Sequence, residues 1–286
     1  MFDFPGIYQE ADNISNKTQK CYLLVLKLYL TILIIASILF TYFNNVWEVK
    51  IVNAILSLVI LALSFVFFCY DFQGIWYNAR AVAESIKTSC WRFAIKAEPY
   101  NVEDEEADEF LLNTMKHIIG MNRDFQKHIT ACFSCNEQLP SSLTKIRLLP
   151  LEKRRDFYHN YRVLEQELWY KNKSEYNNKK SKLFFALLVL LSLIISVFLF
   201  LSLDKTNSFN YPVEILLSLL SIIFTWVQTK KYKELNKSYA LASYEIGFIS
   251  SQKNKITSEE QLSEYVDNSE NAFSREHTQW IARKDN

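Results

Sequence analysis

Four apolar blocks constrain this chain more than any other feature. They occupy residues 23–43, 51–70, 183–203 and 213–227, and long charged segments separate them. A helix that crosses a bilayer needs about 20 predominantly apolar residues. Three blocks meet that length outright. The fourth reaches it over 212–228 when its polar positions are counted. Half of the 286 residues are hydrophobic, and their concentration in these blocks predicts a multi-pass membrane protein with a large soluble part.

Charge placement orients the blocks. Lys17 and Lys20 precede the first, and Arg80, Lys87 and Arg92 follow the second. Lys179, Lys180 and Lys182 precede the third, and Lys230, Lys231, Lys233 and Lys237 follow the fourth. The short connections 44–50 and 204–212 hold one basic residue each, Lys50 and Lys205. Positive charge gathers on the cytoplasmic side of spans, so both termini and the middle region are expected in the cytoplasm. The first block starts late, is long enough to span and lacks a small-residue cleavage site, so no cleavable signal peptide is expected. Five cysteines are present. Cys90, Cys132 and Cys135 fall in the expected cytoplasmic part and Cys21 and Cys69 at inner span ends, so all five read as free thiols.

Only four glycines and five prolines occur, too little punctuation for a turn-rich β architecture. Helical periodicity appears instead. Leu111, Met115, Ile118, Phe125 and Ile129 share one face, and so do Phe157, Tyr161, Leu164 and Leu168. Leu235, Tyr239, Ala242, Ile246 and Ile249 form a third stripe. Ser258 and Gln261 resemble a capping box that opens a last helix through Leu262, Val266, Phe273 and Trp280. The expected fold is an all-α membrane protein: four transmembrane helices in two hairpins, long cytoplasmic helices, and an oligomeric state. The chain reads as two copies of one plan, residues 1–103 and 144–286, joined by a connecting cytoplasmic helix over 104–143.

Enzyme chemistry finds no local support. Gly6, Gly74, Gly120 and Gly247 are too far apart to build a phosphate-binding glycine loop. His117, His128, Cys132 and Cys135 fall near one face, but on a straight helix the outer two lie about 27 Å apart, so no metal is expected. The acidic run Glu103, Asp104, Glu105, Glu106, Asp108 and Glu109 suits the positive start of a helix. No catalytic residues and no cofactor are expected.

The fourth block carries Glu214, Ser218, Ser221, Thr225 and Gln228 at steps of four, three, four and three. On a helix these five share one face. Lipid offers them no hydrogen-bond partners, so the face is expected against protein or water. One reading is packing, since small polar residues let helices approach and bond back to their own carbonyls. Ser192 and Ser196 in the third block, and Asn53, Ser57 and Ser64 in the second, fit that reading. The other is a pore lining, favoured by a stripe that runs the full length and includes an acid. Four helices of one chain fill their own core, so a pore requires a homo-oligomer, such as a tetramer. Lys27, about one turn inside the first block, is expected to snorkel to the interface.

Several motifs are similar to the SLATT superfamily of two-span effector domains. One is Arg80-Ala81-Val82-Ala83-Glu84-Ser85-Ile86-Lys87-Thr88 with Trp91-Arg92 and Pro99. A second is Ile146-Arg147-Leu148-Leu149-Pro150-Leu151-Glu152 with Arg154, Arg155, Tyr158, Arg162, Gln166, Trp169-Tyr170 and Lys173. A third is Glu270 with Ala272-Phe273-Ser274-Arg275-Glu276-His277, Trp280 and Arg283, and the stretch 5–20 is also similar. Leu148-Leu149 and Asn172 depart modestly from the pattern. The resemblance covers nearly the whole chain and implies a fused pair of such units. It further implies an inner-membrane effector of a bacterial anti-phage, abortive-infection system, controlled by a nucleotide or oligonucleotide from a partner nucleotidyltransferase. Arg147, Arg154, Arg155, Arg162, Lys171, Lys173, Arg275 and Arg283 are the candidate phosphate contacts, because guanidinium groups suit bidentate phosphate recognition. The alternative is structural: Arg–Glu pairs that hold soluble helices in register. A membrane scaffold that docks a partner protein is the competing function.

Overall fold

The computed structural model describes residues 2–129, 137–203 and 211–284, with side chains described as far as residue 274. Every regular element among the described residues is helical, and four helices are long and apolar enough to cross a membrane. In chain order the helices are α1 (Gly6–Phe43), α2 (Trp47–Cys69), α3 (Phe72–Ile95), α4 (Asp104–Met121) and α5 (Arg123–Gln126). There follow α6 (Ser141–Arg147), α7 (Leu151–Tyr158), α8 (Leu164–Ser202), α9 (Val213–Lys230), α10 (Tyr232–Ser250) and α11 (Glu259–Lys284). A π-helical turn, His159–Val163, joins α7 to α8. The first and third apolar blocks are the distal halves of α1 and α8, so no break separates those spans from the helices that lead into them.

The chain forms two compact units that interleave in sequence. One contains Met1–Gln19, Gln73–Ser174 and Lys237–Asn286; the other contains Lys20–Phe72 and Glu175–Asn236. The second unit holds all four apolar blocks. Its large side chains face outward, among them Phe65, Phe68, Leu193 and Phe200, as expected of helices solvated by lipid. Within it Tyr22 and Tyr29 of α1 meet Phe67 of α2 edge-on. Phe198 of α8 lies against Tyr211, and Phe184 stacks on Tyr232.

The first unit has a conventional core, with Trp91, Phe93, Tyr100, Leu111, Leu143, Tyr158 and Ile246 almost fully buried. Its helix ends follow local chemistry. Lys96 adopts a left-handed φ of 60° just after α3. There Ala97 N–H bonds to Arg92 C=O and Lys96 N–H to Phe93 C=O, the paired closure that ends many helices. Ser258 caps α11 through the Gln261 N–H, while the Gln261 side chain returns to the Thr257 N–H, one residue earlier than in a standard capping box. The acidic run opens α4, where Asp104, Glu105 and Glu106 fill the first turn.

Two sequence expectations need correction. The stripe from Leu111 to Ile129 does not lie on one straight helix. Asn122 ends α4, its side-chain amide bonded to Ile118 C=O, and α5 is a separate short helix. The region after α4 is therefore not a single connecting helix; residues 130–136, with Cys132 and Cys135, lie outside the described residues. The stripe Phe157, Tyr161, Leu164 and Leu168 does not face the core either. Tyr161, Leu164 and Leu168 are exposed, whereas Arg154, Tyr158, Arg162 and Val163 are buried. The π turn rotates the register by one residue at this point, and the inward face is given to polar groups with specific partners.

Candidate functional site

Two groups of residues carry functional weight, one in each unit. In the apolar unit, α1 and α9 touch at three levels whose residue numbers run in opposite directions. Thr41 meets Glu214 at 3.4 Å, Ser37 meets Ser218 at 3.0 Å, and the Lys27 ammonium lies over the Trp226 ring. Ser218 thus joins a seam with α1. Among the described residues Glu214, Ser221, Thr225 and Gln228 are exposed, along with Leu217 and Phe224, although Glu214 also reaches Thr41. Ser218, Ser221 and Thr225 each donate to a carbonyl one turn back, which satisfies their protons and leaves oxygen lone pairs on the outer face. Ser192 and Ser196 do the same on α8.

In the other unit, the arginines expected to meet phosphate are wired into the protein. α3 ends in carbonyls that have no intrahelical partner, and two guanidinium groups close that end. Arg147 is fully buried and donates to Phe93, Tyr100 and Val102 carbonyls at 2.8–3.0 Å and to Asp104 at 2.8 Å. Arg154 donates to Ile95 and Leu149 carbonyls and to the Glu259 carboxylate. A cation also suits the negative end of a helix. Burial opposes ionisation of Asp104, but Lys96 and Arg147 outweigh it and hold the carboxyl below its usual range.

Glu270 on α11 is as enclosed as Arg147, at 0% exposure. It accepts two bonds from Arg162, 2.9 Å from Nε and 2.7 Å from Nη2. Tyr158 O–H adds a third at 2.9 Å and Thr88 O–H a fourth at 2.8 Å. Burial works against the Arg162 charge, yet the Glu270 carboxylate overcomes it and raises the guanidinium pKa. Beside it Lys87 is pulled down, first by burial and then by Arg162. His159 Nδ1 lies 3.0 Å from Tyr265 O–H, and burial followed by Lys253 lowers its pKa.

Arg155 is less enclosed; it bonds to Asp156 and the Ile256 carbonyl. Lys171 and Lys173 are exposed on α8, with Lys173 over the Trp169 ring at 5.6 Å. The side chains of Arg275 and Arg283 lie outside those described. Among the described candidates, Arg147, Arg154 and Arg162 are therefore held in buried pairs, while Lys171 and Lys173 are exposed. Sequence reasoning missed that Thr88 and Tyr158 join Arg162 as donors to one acceptor, the Glu270 carboxylate. A signal existed: Glu270 interrupts the buried stripe Leu262, Val266, Phe273, and an acid on such a stripe requires a buried cation.

Comparison with known families fits this arrangement. Residues 5–155 match the SMODS and SLOG-associating 2TM effector domain 3, and residues 158–280 match the SMODS and SLOG-associating 2TM effector domain 1. No curated protein and no solved structure matches the chain significantly. The junction between the matched segments falls at the end of α7, beside the π turn. With four candidate spans and both segments matched, the chain belongs to the SLATT family, as a multi-pass membrane protein that carries two of its effector domains in tandem.

Proposed function

We propose that this protein is a pore-forming effector of a bacterial anti-phage defence system. In this reading it sits in the inner membrane as two hairpins with both termini in the cytoplasm. It assembles from several copies, lines its pore with α9, and has no catalytic activity of its own. A nucleotide or oligonucleotide from a partner nucleotidyltransferase controls the pore, and halted or killed cells stop phage replication.

One observation carries the pore reading. Four of the five residues of the α9 stripe, Glu214, Ser221, Thr225 and Gln228, are exposed among the described residues, and of these four Glu214 alone touches another helix, at Thr41. A carboxylate and a glutamine near the helix ends, with hydroxyl oxygens between them, suit a solvated path better than acyl chains. Closing such a face against water takes neighbouring copies around an axis. Control by an anionic ligand draws support from Arg155, Lys171 and Lys173, the candidate cations least committed to buried partners. Engaging Arg147, Arg154 or Arg162 requires the ligand to displace Asp104, Glu259 or Glu270.

A scaffold reading is favoured by a different observation: every described hydroxyl on the stripe already bonds to its own helix, and Ser218 pairs with Ser37. Planar-bilayer conductance of the purified full chain separates the two. A pore lined by α9 gives currents altered in Glu214→Ala and reduced in Ser221→Leu. Oligonucleotide added to the same bilayers should change the open fraction, and Arg155→Ala should weaken that response. No conductance with or without oligonucleotide, or identical currents in wild type and both α9 variants, refutes the proposal.

A further inference from the structure

We infer that Lys27, where α1 enters its apolar block, and Lys230, at the end of α9, form a binding site for the phosphate of an anionic phospholipid. Lys27 on α1 and Lys230 on α9 both converge on Trp226. Their ammonium nitrogens lie 5.9 Å and 5.2 Å from the centre of its indole ring, close enough for Lys230 to feel the charge of Lys27. Among the described residues, neither ammonium has a carboxylate within 4 Å. Two unneutralised cations held together at the end of apolar helices are unfavourable unless an anion joins them. The indole face offsets part of that repulsion by cation–π attraction and fixes where the anion sits.

The surroundings choose the kind of anion. Leu24 and Leu28 flank Lys27 on the same face of α1, and both are exposed. A phospholipid meets both needs at once: its phosphate bridges the two lysines and its acyl chains cover the leucines. A soluble phosphate leaves the leucines bare. Snorkelling explains Lys27 alone, since a long side chain can reach the interface. It does not explain why that lysine shares a ring with a second cation from another helix. Basic clefts between spans are suited to anionic headgroups, and Trp226 lies about one turn from the end of α9, where a tryptophan suits the membrane interface. The site depends only on the protein's residing in a membrane, so it stands or falls separately from the pore.

Native mass spectrometry of the full chain in detergent tests the inference, with titration by phosphatidylglycerol, phosphatidylcholine or inorganic phosphate. Phosphatidylglycerol should be retained preferentially, with affinity falling about fivefold for each of K27Q and K230Q. K27R and K230R should retain most of the affinity, and K182Q, an exposed lysine elsewhere on α8, should leave it unchanged. Because K27Q and K230Q act from different helices, failure of one variant to fold leaves the other as an independent reading. Equal retention of phosphatidylcholine, or unchanged phosphatidylglycerol affinity in the variants, overturns the site. Displacement of phosphatidylglycerol by inorganic phosphate at comparable concentration overturns the lipid as its occupant.

Discussion

Glu270→Ala should destabilise the unit built from α3, α7 and α11 severely. The carboxylate is fully enclosed and accepts two bonds from Arg162, one from Tyr158 and one from Thr88. Removing it leaves the Arg162 guanidinium buried without its bonded carboxylate, with only the unbonded Glu84 acting on its charge, which costs about 3–5 kcal/mol. The orphaned hydroxyls of Tyr158 and Thr88 belong to the same network, so their loss is counted within that figure and not added to it. For a body of roughly 150–250 residues, 1 kcal/mol moves the melting temperature by about 2–4 °C. The expected drop is therefore about 6–20 °C. Tryptophan fluorescence during thermal unfolding of the full chain in detergent reads it. Trp91 is an internal reporter, being fully buried with Arg162 6.0 Å from its ring centre. Glu270→Gln keeps shape and one acceptor oxygen and should fall between alanine and wild type. Glu270→Leu combined with Arg162→Met removes both charges and should recover most of the loss. A Glu270→Ala protein melting within about 2 °C of wild type refutes the reasoning, as does a double variant no more stable than Glu270→Ala.

Two further outcomes follow from the same unit. Arg147→Ala leaves the Tyr100 and Val102 carbonyls without their donor and the Phe93 carbonyl with Lys96 N–H alone, at about 1–3 kcal/mol for each unsatisfied group, so urea unfolding should show a loss of at least about 2 kcal/mol. Arg147→Lys should recover less than half of it, because a single ammonium cannot span the fork of acceptors that guanidinium reaches. His159 makes the fold sensitive to mild acid. Its folded pKa lies below the ordinary histidine value, so the unfolded chain binds the proton first and stability falls as pH drops below about 6.5. Melting temperatures compared between pH 7.5 and 5.5 should show a smaller acid-induced decrease in His159→Gln than in wild type.

The spans were legible because lipid imposes a simple rule on length and polarity, and α1, α2, α8 and α9 obey it. The start of α11 was legible because Ser258 and Gln261 act locally. The interior of the soluble unit was not. Arg147, Arg154, Arg155 and Arg162 are visible as cations in the sequence, but the acceptors of three of them lie far along the chain. Arg154 finds Glu259 105 residues away and Arg162 finds Glu270 108 residues away. Arg147 reaches backbone carbonyls, which no residue type announces. The stripe Phe157, Tyr161, Leu164 and Leu168 misled for a related reason. Periodicity shows which residues share a face but not which face is buried. Here the need to enclose Glu270 with Tyr158 and Arg162 outweighs apolar burial, and the π turn shifts the register besides.

The same bonds explain why two effector domains occur in one chain as a single fold and not as beads on a string. Arg92 to Asp267, Arg154 to Glu259, Arg155 to the Ile256 carbonyl and Thr88 to Glu270 each tie the segment 5–155 to the segment 158–280. Of these, Arg154 is a buried charge of the first segment whose carboxylate partner, Glu259, belongs to the second. The first segment folded alone would enclose that guanidinium without its carboxylate, which costs several kcal/mol against a total stability of about 5–15 kcal/mol for a whole domain. Fusion keeps the partners at high effective concentration and guarantees that they occur in equal numbers.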